Sequence, residues 1–225
     1  PPRSTLFPYT TLFRSFHFEE NFNYPYIASS ISNFWRRWHI SLSTWFRDYV
    51  YIPLGGSHVK QSRWVWNLFL VWLMTGIWHG ANVTFVLWGL VYFVFLLLER
   101  LTGIERKLKW VYRIPTLLVV LLAWVLFRSV SLSDAGLYFG YLFGKGGFGL
   151  SDVVFLNQFN GSFVVFFIAL IGCTPLPKTL FQKLRQRIGE PFGKPLSYAL
   201  ALAVFVLSSL VCILDTYNPF IYFNF

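Results

Sequence analysis

The stretch WVWNLFLVWLMTGIWHGANVTFVLWGLVYFVFLLL (Trp64–Leu98) decides the class of this protein: 35 residues pass without a lysine, arginine, aspartate or glutamate. As one straight helix the run would be about 52 Å long at 1.5 Å per residue, against a bilayer hydrocarbon core of about 30 Å. It has to tilt, project or break. The natural break is Gly76-Ile77-Trp78-His79-Gly80, where two glycines flank a histidine. Two segments result, Trp64–Thr75 and Ala81–Leu98, the first short for a full span.

The rest of the chain agrees. Of its 225 residues 56% are hydrophobic, 21% aromatic and 12% charged, whereas soluble domains carry about 25% charge. That excludes a soluble globular domain, a disordered chain and a coiled coil. It leaves an all-α, polytopic integral membrane protein whose helices meet lipid. Further apolar runs at Ile114–Phe127, Phe163–Thr174 and Leu196–Leu214 bring the expected hydrophobic helices to about five. The net charge of +10 would suggest nucleic acid in a soluble protein. Here the charges are confined to short loops, so no nucleic-acid partner is expected and positive-inside topology accounts for them. Glu99–Arg113 holds five basic and two acidic residues, Pro175–Pro195 five and one, and Ser131–Gly161 one and two. The first two loops are expected on the cytoplasmic side and the third outside. Cys173 and Cys212 lie in apolar runs, and no Cys/His spacing suggests a metal.

Two stretches stand apart. In residues 1–15, Ser4-Thr5-Leu6-Phe7 and Thr11-Leu12-Phe13-Arg14-Ser15 nearly repeat around Pro8-Tyr9-Thr10, with neither helical period nor signal-peptide layout. They read as a foreign leader, with the membrane domain occupying residues 16–225. Gly144–Gly149 reads as an irregular, re-entrant outer loop. It lacks the strand before and the Lys-Ser/Thr after that a phosphate cradle needs.

ISNFWRRWHISLSTWFRDYV (Ile31–Val50) places Ile31, Phe34, Trp35, Trp38, Leu42, Trp45, Phe46 and Tyr49 at steps of three and four. The spacing predicts one amphipathic helix lying at the membrane interface, N-capped by Ser32 or Asn33. Arg36, Arg37, Arg47 and Asp48 fall on its polar face, His39 at the stripe's edge, and Pro53-Leu54-Gly55-Gly56 forces a turn. From spacing alone His39 reads as a partly exposed histidine on a plain interfacial anchor. His79 is different, being the ionisable side chain inside the 35-residue run. Such residues are costly in a membrane and face a cavity or a partner. The glycines let the backbone unwind there, which is tolerated only in protein or beside a water-filled cavity. A proton-transfer role and a structural bond to a neighbouring carbonyl both fit. Arg128 ends a span, where snorkelling is a simpler reading than a substrate-facing role. His17 and His58 lie in polar loops and are assigned nothing.

FWRRWHISLSTWFRDYVYIPLGG (Phe34–Gly56), followed by TGIWHGANVTFVLWG (Thr75–Gly89), resembles the membrane-bound O-acyltransferase family. The match is to its bacterial alginate O-acetyltransferase branch, which is similar to the D-alanyl transferase of teichoic acids. The ending Tyr217-Asn218-Pro219-Phe220-Ile221-Tyr222-Phe223 also resembles the end of that branch. Family members are longer, so the chain reads as the C-terminal half. The resemblance implies a multi-pass enzyme of the bacterial inner membrane. It would move an acetyl group from acetyl-CoA, across the membrane, to O-acetylate an exported polysaccharide such as alginate. No bound cofactor is implied. Membrane lipid, the polysaccharide acceptor and an extracytoplasmic acetyltransferase are the expected partners.

The family's WHG histidine maps to His79 and its second polar position to His39. The resemblance then casts His79 as the base and His39 as its assistant, with Trp78 and Asn82 lining the site. Arg36, Arg37 and Arg47 would attract the donor's phosphates, although lipid headgroups suit them equally, and Arg128 would complete the substrate-binding set if it faces inward. The alternative is a proton-coupled transporter or export subunit, in which His79 relays protons and no acyl group moves.

Overall fold

The computed structural model describes residues 20–146 and 153–214. The leader at 1–15, the Tyr217–Phe223 ending and the second half of the Gly144–Gly149 loop lie outside them. Helices account for the regular structure, and no strand occurs among the described residues. The chain divides into two compact units, Pro1–Phe143 and Gly144–Phe225.

The first unit is built on a helical hairpin. α1 (Ile31–Trp35) and α2 (Ile40–Phe46) precede it, and a π-helical turn at Arg47–Tyr51 follows α2 directly. The hairpin is α3 (Gln61–His79) and α4 (Val83–Thr102). After it come α5 (Ile104–Leu108), α6 (Arg113–Arg128) and α7 (Leu132–Leu142). A Cβ on Gly76 would meet the Phe85 carbonyl oxygen at 2.7 Å, and one on Gly89 the Trp72 carbonyl oxygen at 2.4 Å. Residue 76 thus faces 85 and 89 faces 72, so α3 and α4 run antiparallel with backbones nearly touching. Small residues permit this approach between apolar helices.

This corrects the expected break. The chain does not unwind from Gly76 to Gly80: α3 stays helical through His79 and stops at Gly80. Gly76 is needed for packing, while Gly80 (φ 153°, ψ 162°) takes a conformation that glycine alone adopts readily. Asn82 starts α4, its side chain accepting from the Thr84 amide at 3.2 Å and donating to the Val130 carbonyl.

The expected single helix over Ile31–Val50 is also corrected. It splits into α1 and α2 because His39 adopts the left-handed conformation (φ 46°, ψ 54°). The backbone groups freed there are taken by the preceding segment. The Asn23 amide donates to the Arg37 carbonyl at 2.8 Å, and the Ile40 amide to the Asn21 carbonyl at 3.0 Å. The Asn21 side chain accepts from the Ser41 amide and hydroxyl. The helix cap is Ser30, accepting from the Asn33 amide, rather than Ser32 or Asn33. With the chain bent, Phe34 and Trp35 are buried with Trp72, Trp88, Tyr92, Val120 and Ala123 in one core.

Glu99 fastens α1 to α4. Its carboxylate accepts from the Ile31 amide at 2.6 Å and the Ser32 amide at 2.9 Å, and Tyr112 donates to it as well. Counted as a loop charge in the sequence, it is a buried helical residue. The expected Pro53–Gly56 turn is present, and the buried Asn67 of α3 donates to Leu54 and Gly56 carbonyls within it.

The second unit contains α8 (Val153–Gly172), α9 (Leu176–Ile188) and α10 (Glu190–Leu214). α8 and α9 meet at a 71° bend. α9 carries Lys178, Lys183, Arg185 and Arg187, so the expected basic loop is in large part a helix. Glu190 pairs with Arg185 at 2.9 Å and Lys194 at 2.8 Å. A Cβ on Gly193 would meet Arg185 at 2.6 Å, which marks close packing of α10 on α9.

Among the described residues three helical stretches are long and apolar enough to cross a membrane: Val83–Thr102, Trp110–Arg128 and Glu190–Leu210. The bent α8–α9 pair makes a fourth if counted as one span. That is fewer than the five anticipated, because Trp64–Thr75 belongs to a helix that begins in polar sequence and falls short of the others in apolarity. The protein is nonetheless an all-α membrane protein.

Candidate functional site

His79 is the last residue of α3 and 7% exposed. Its ring lies in an aromatic box, with centroids 4.8 Å from Trp78, 5.0 Å from Trp88, 5.1 Å from Phe127 and 6.3 Å from Phe85. Rings from α3, α4 and α6 thus hold one imidazole. The Asn82–Val130 bond closes the same corner from outside, joining the hairpin tip to the chain just past α6.

His39 comes to this corner from the other side. Its ring is 6.1 Å from Trp78 and 6.2 Å from Phe22. Trp78 therefore touches both histidines, and residues 40 positions apart in sequence share one indole. The Nδ1 atom of His39 is buried without a hydrogen-bond partner among the described residues. Burial moves its imidazole below the ordinary value of 6.5, toward the neutral form. A left-handed conformation is uncommon for a residue with a side chain, and such strain gathers at functional sites.

The arginines separate by what they already hold. Arg37 donates to the Asn33 side chain and the Asn23 carbonyl, both at 3.1 Å, and so helps fix the bend. Arg47 pairs with Asp48 at 2.7 Å, and holds that carboxyl below the usual carboxylate range. Arg36 makes no side-chain hydrogen bond or ion pair among the described residues, and it lines two cavities. One, of about 470 Å³, is largely apolar and runs between α1, α2 and the hairpin, past Trp35, Leu68, Trp72 and Thr75. The other, of about 510 Å³, is bordered by Arg36, Glu99, Arg100, Glu105 and Arg106. Both share Ser32, Arg36, Tyr51, Leu68 and Leu96. Neither is lined by His79 or His39, although Thr75, one turn before His79, borders the apolar one.

Trp78 is thus placed against both histidines, while Asn82 spends its side chain on capping and on Val130. Arg128 ends α6 with an exposed side chain, at the same corner. Sequence reasoning missed Glu99, Arg100 and Arg106 as parts of a cavity, because they read as topology-setting charges. The one available signal was Glu99 itself, an acid ending an apolar run. No group of three or more His, Cys, Asp or Glu side chains suited to a metal occurs among the described residues.

Comparison with known proteins decides the kinship. The family model described as MBOAT, membrane-bound O-acyltransferase family, matches residues 17–131, which include both histidines and the whole hairpin. The chain belongs to the membrane-bound O-acyltransferase family. A probable alginate O-acetylase AlgI of Pseudomonas putida is 38% identical over 95% of this chain and 48% of its own length. A peptidoglycan O-acetyltransferase of Helicobacter pylori is 39% identical over 64% of the chain and 30% of its own. A teichoic acid D-alanyltransferase of Bacillus subtilis is 40% identical over 33% and 21%. This membrane-bound O-acyltransferase chain spans about half the length of the AlgI relatives that match nearly all of it.

Proposed function

We propose that the protein is an O-acyltransferase of the bacterial inner membrane, moving acetyl groups from a cytoplasmic donor, acetyl-CoA, toward hydroxyls of an exported polysaccharide such as alginate. The observation that carries this reading is the pair of imidazoles, His79 and His39, meeting across Trp78 at two helix ends in a chain of this family. A hydroxyl attacks a thioester slowly, because its proton leaves only at high pH. A neutral imidazole within hydrogen-bond reach removes that proton as the new bond forms. His79 is the base; His39 orients it or helps carry the proton.

The donor's charged end belongs at the polar cavity, where Arg36, Arg100 and Arg106 offer guanidinium groups to phosphate. Its apolar neighbour leads from there along α3 to Thr75. An extracytoplasmic acetyltransferase receives the group beyond the membrane and completes the transfer. The alginate and peptidoglycan relatives support a glycan acceptor.

The test is transfer of labelled acetyl from acetyl-CoA to glycan in membranes holding the full-length protein. His79→Ala is expected to lower the rate by about 10²–10⁴-fold, the range for a lost general base, at unchanged membrane abundance. Full transfer by that variant ends the reading. Proton-coupled flux in vesicles with no dependence on acyl donor would replace it with a transporter.

A further inference from the structure

α4 is an apolar membrane helix whose buried face carries polar tips. Thr84, Trp88, Tyr92 and Glu99 are four of its five buried residues, Gly89 being the fifth. The first three fall at steps of four and share one face of the helix. Glu99 has its hydrogen bonds to α1. Thr84 Oγ1, Trp88 Nε1 and Tyr92 Oη are buried and have no hydrogen-bond partner among the described residues. A buried donor left unsatisfied is costly, and native interiors keep few of them.

Of the three, Trp88 stands beside the chemistry. It is 1% exposed, and its ring meets that of His79 edge-on at 5.0 Å and 86°. Trp35, Tyr92 and Phe127 pack around it at 5.6, 5.3 and 5.1 Å, so the indole is held in place. An indole N–H can donate but not accept. Its complement is an acceptor oxygen delivered close to His79, and preferably one whose negative charge grows there.

We propose that the Trp88 indole N–H donates to the carbonyl oxygen of the acyl group during transfer. This rests on the acyltransferase reading of His79. The acceptor's hydroxyl oxygen bonds to the thioester carbonyl carbon while its proton passes to His79. The carbonyl electron pair moves onto oxygen, where Trp88 holds it. The pair then returns, the carbon–sulfur bond breaks, and the imidazolium gives its proton to the departing thiolate. A fixed donor in a water-poor site stabilises such an oxyanion without having to reorganise.

The experiment compares acetyl transfer from labelled acetyl-CoA in membranes holding the full-length parent, Trp88→Phe, and a variant with benzothienylalanine at 88. The last keeps the bicyclic shape with sulfur in place of N–H. Both are expected to lower kcat by about 10²–10³-fold, the range for loss of one oxyanion donor, with KM for acetyl-CoA within threefold of the parent. Trp110→Phe, at an exposed tryptophan, serves as the control and keeps parental rates. If Trp88→Phe lowers membrane abundance, the benzothienyl variant decides. Parental kcat in the benzothienyl variant, with His79→Ala inactive, overturns the proposal and leaves the base intact. Parental transfer in His79→Ala overturns the underlying reading instead.

Discussion

His79 closes one helix and His39 opens another, and the chain turns at the two places by different means. At His79 the device is local and glycine-based: α3 stops at Gly80, Asn82 restarts the chain, and the bend is written in consecutive residues. At His39 the histidine itself takes the left-handed turn, and the bend is held from afar by Asn21 and Asn23. The first is a corner that its own sequence demands. The second is a strained joint stabilised by a strap that precedes it by some 16 to 18 residues. The difference teaches that one histidine is placed by helix geometry and the other by tertiary contacts.

Substitution at His39 should break the comparison most sharply. His39→Gly relieves the left-handed strain, worth about 1–2 kcal/mol, yet removes the imidazole. The expected result is equal or higher thermal stability with acetyl transfer reduced about 10²-fold, at the lower end for lost proton-transfer assistance. Unchanged transfer would make His39 a residue of the bend alone. The glycine side of the comparison is probed by Gly89→Ala, whose Cβ would press on the Trp72 carbonyl oxygen at 2.4 Å. Loss of about 1–3 kcal/mol is expected from this overpacking, read as a lower midpoint of thermal unfolding in detergent. A neutral result would mean that the hairpin is looser than it looks. Asn21→Ala removes the acceptor for the Ser41 amide and hydroxyl. Its cost should be about 0.5–1.5 kcal/mol, with increased hydrogen exchange at residues 36–41 and no change at 79–82.

The smallest effect is expected from pH. Burial keeps the His39 imidazole below 6.5, so as pH falls the unfolded chain takes up this proton before the folded one does. The stability that His39 contributes is therefore complete above pH 6.5 and is lost as pH falls through the lower, folded value. The unfolding midpoint should drop between pH 7 and pH 5, and His39→Gln should flatten part of that slope. An identical slope in the variant would show that the imidazole titrates as if exposed.

The same contrast explains what was legible in the sequence. The all-α membrane class, the Pro53–Gly56 turn and the break beside His79 could all be read, since each is carried by neighbouring residues. The bend at His39 could not. Its periodicity from Ile31 to Tyr49 suits one helix, and what overrules it is hydrogen bonding by Asn21 and Asn23, to which a helical period is blind. Gly76 misleads for a related reason: a glycine that lets a backbone unwind and one that lets another helix approach look alike until Phe85 is seen against it. Glu99 reads as a loop charge because its partners, the Ile31 and Ser32 amides, lie nearly 70 positions earlier. The orphaned donor of Trp88 had no sequence signal, since tryptophan in an apolar run reads as core.

The bond from Asn82 to the Val130 carbonyl carries a mechanical consequence. It tethers the hairpin's tip to the rim beyond α6. Whatever grips residues 129–131 from outside, a cross-linker or an antibody fragment, also takes hold of the imidazole's mount three residues upstream of that asparagine.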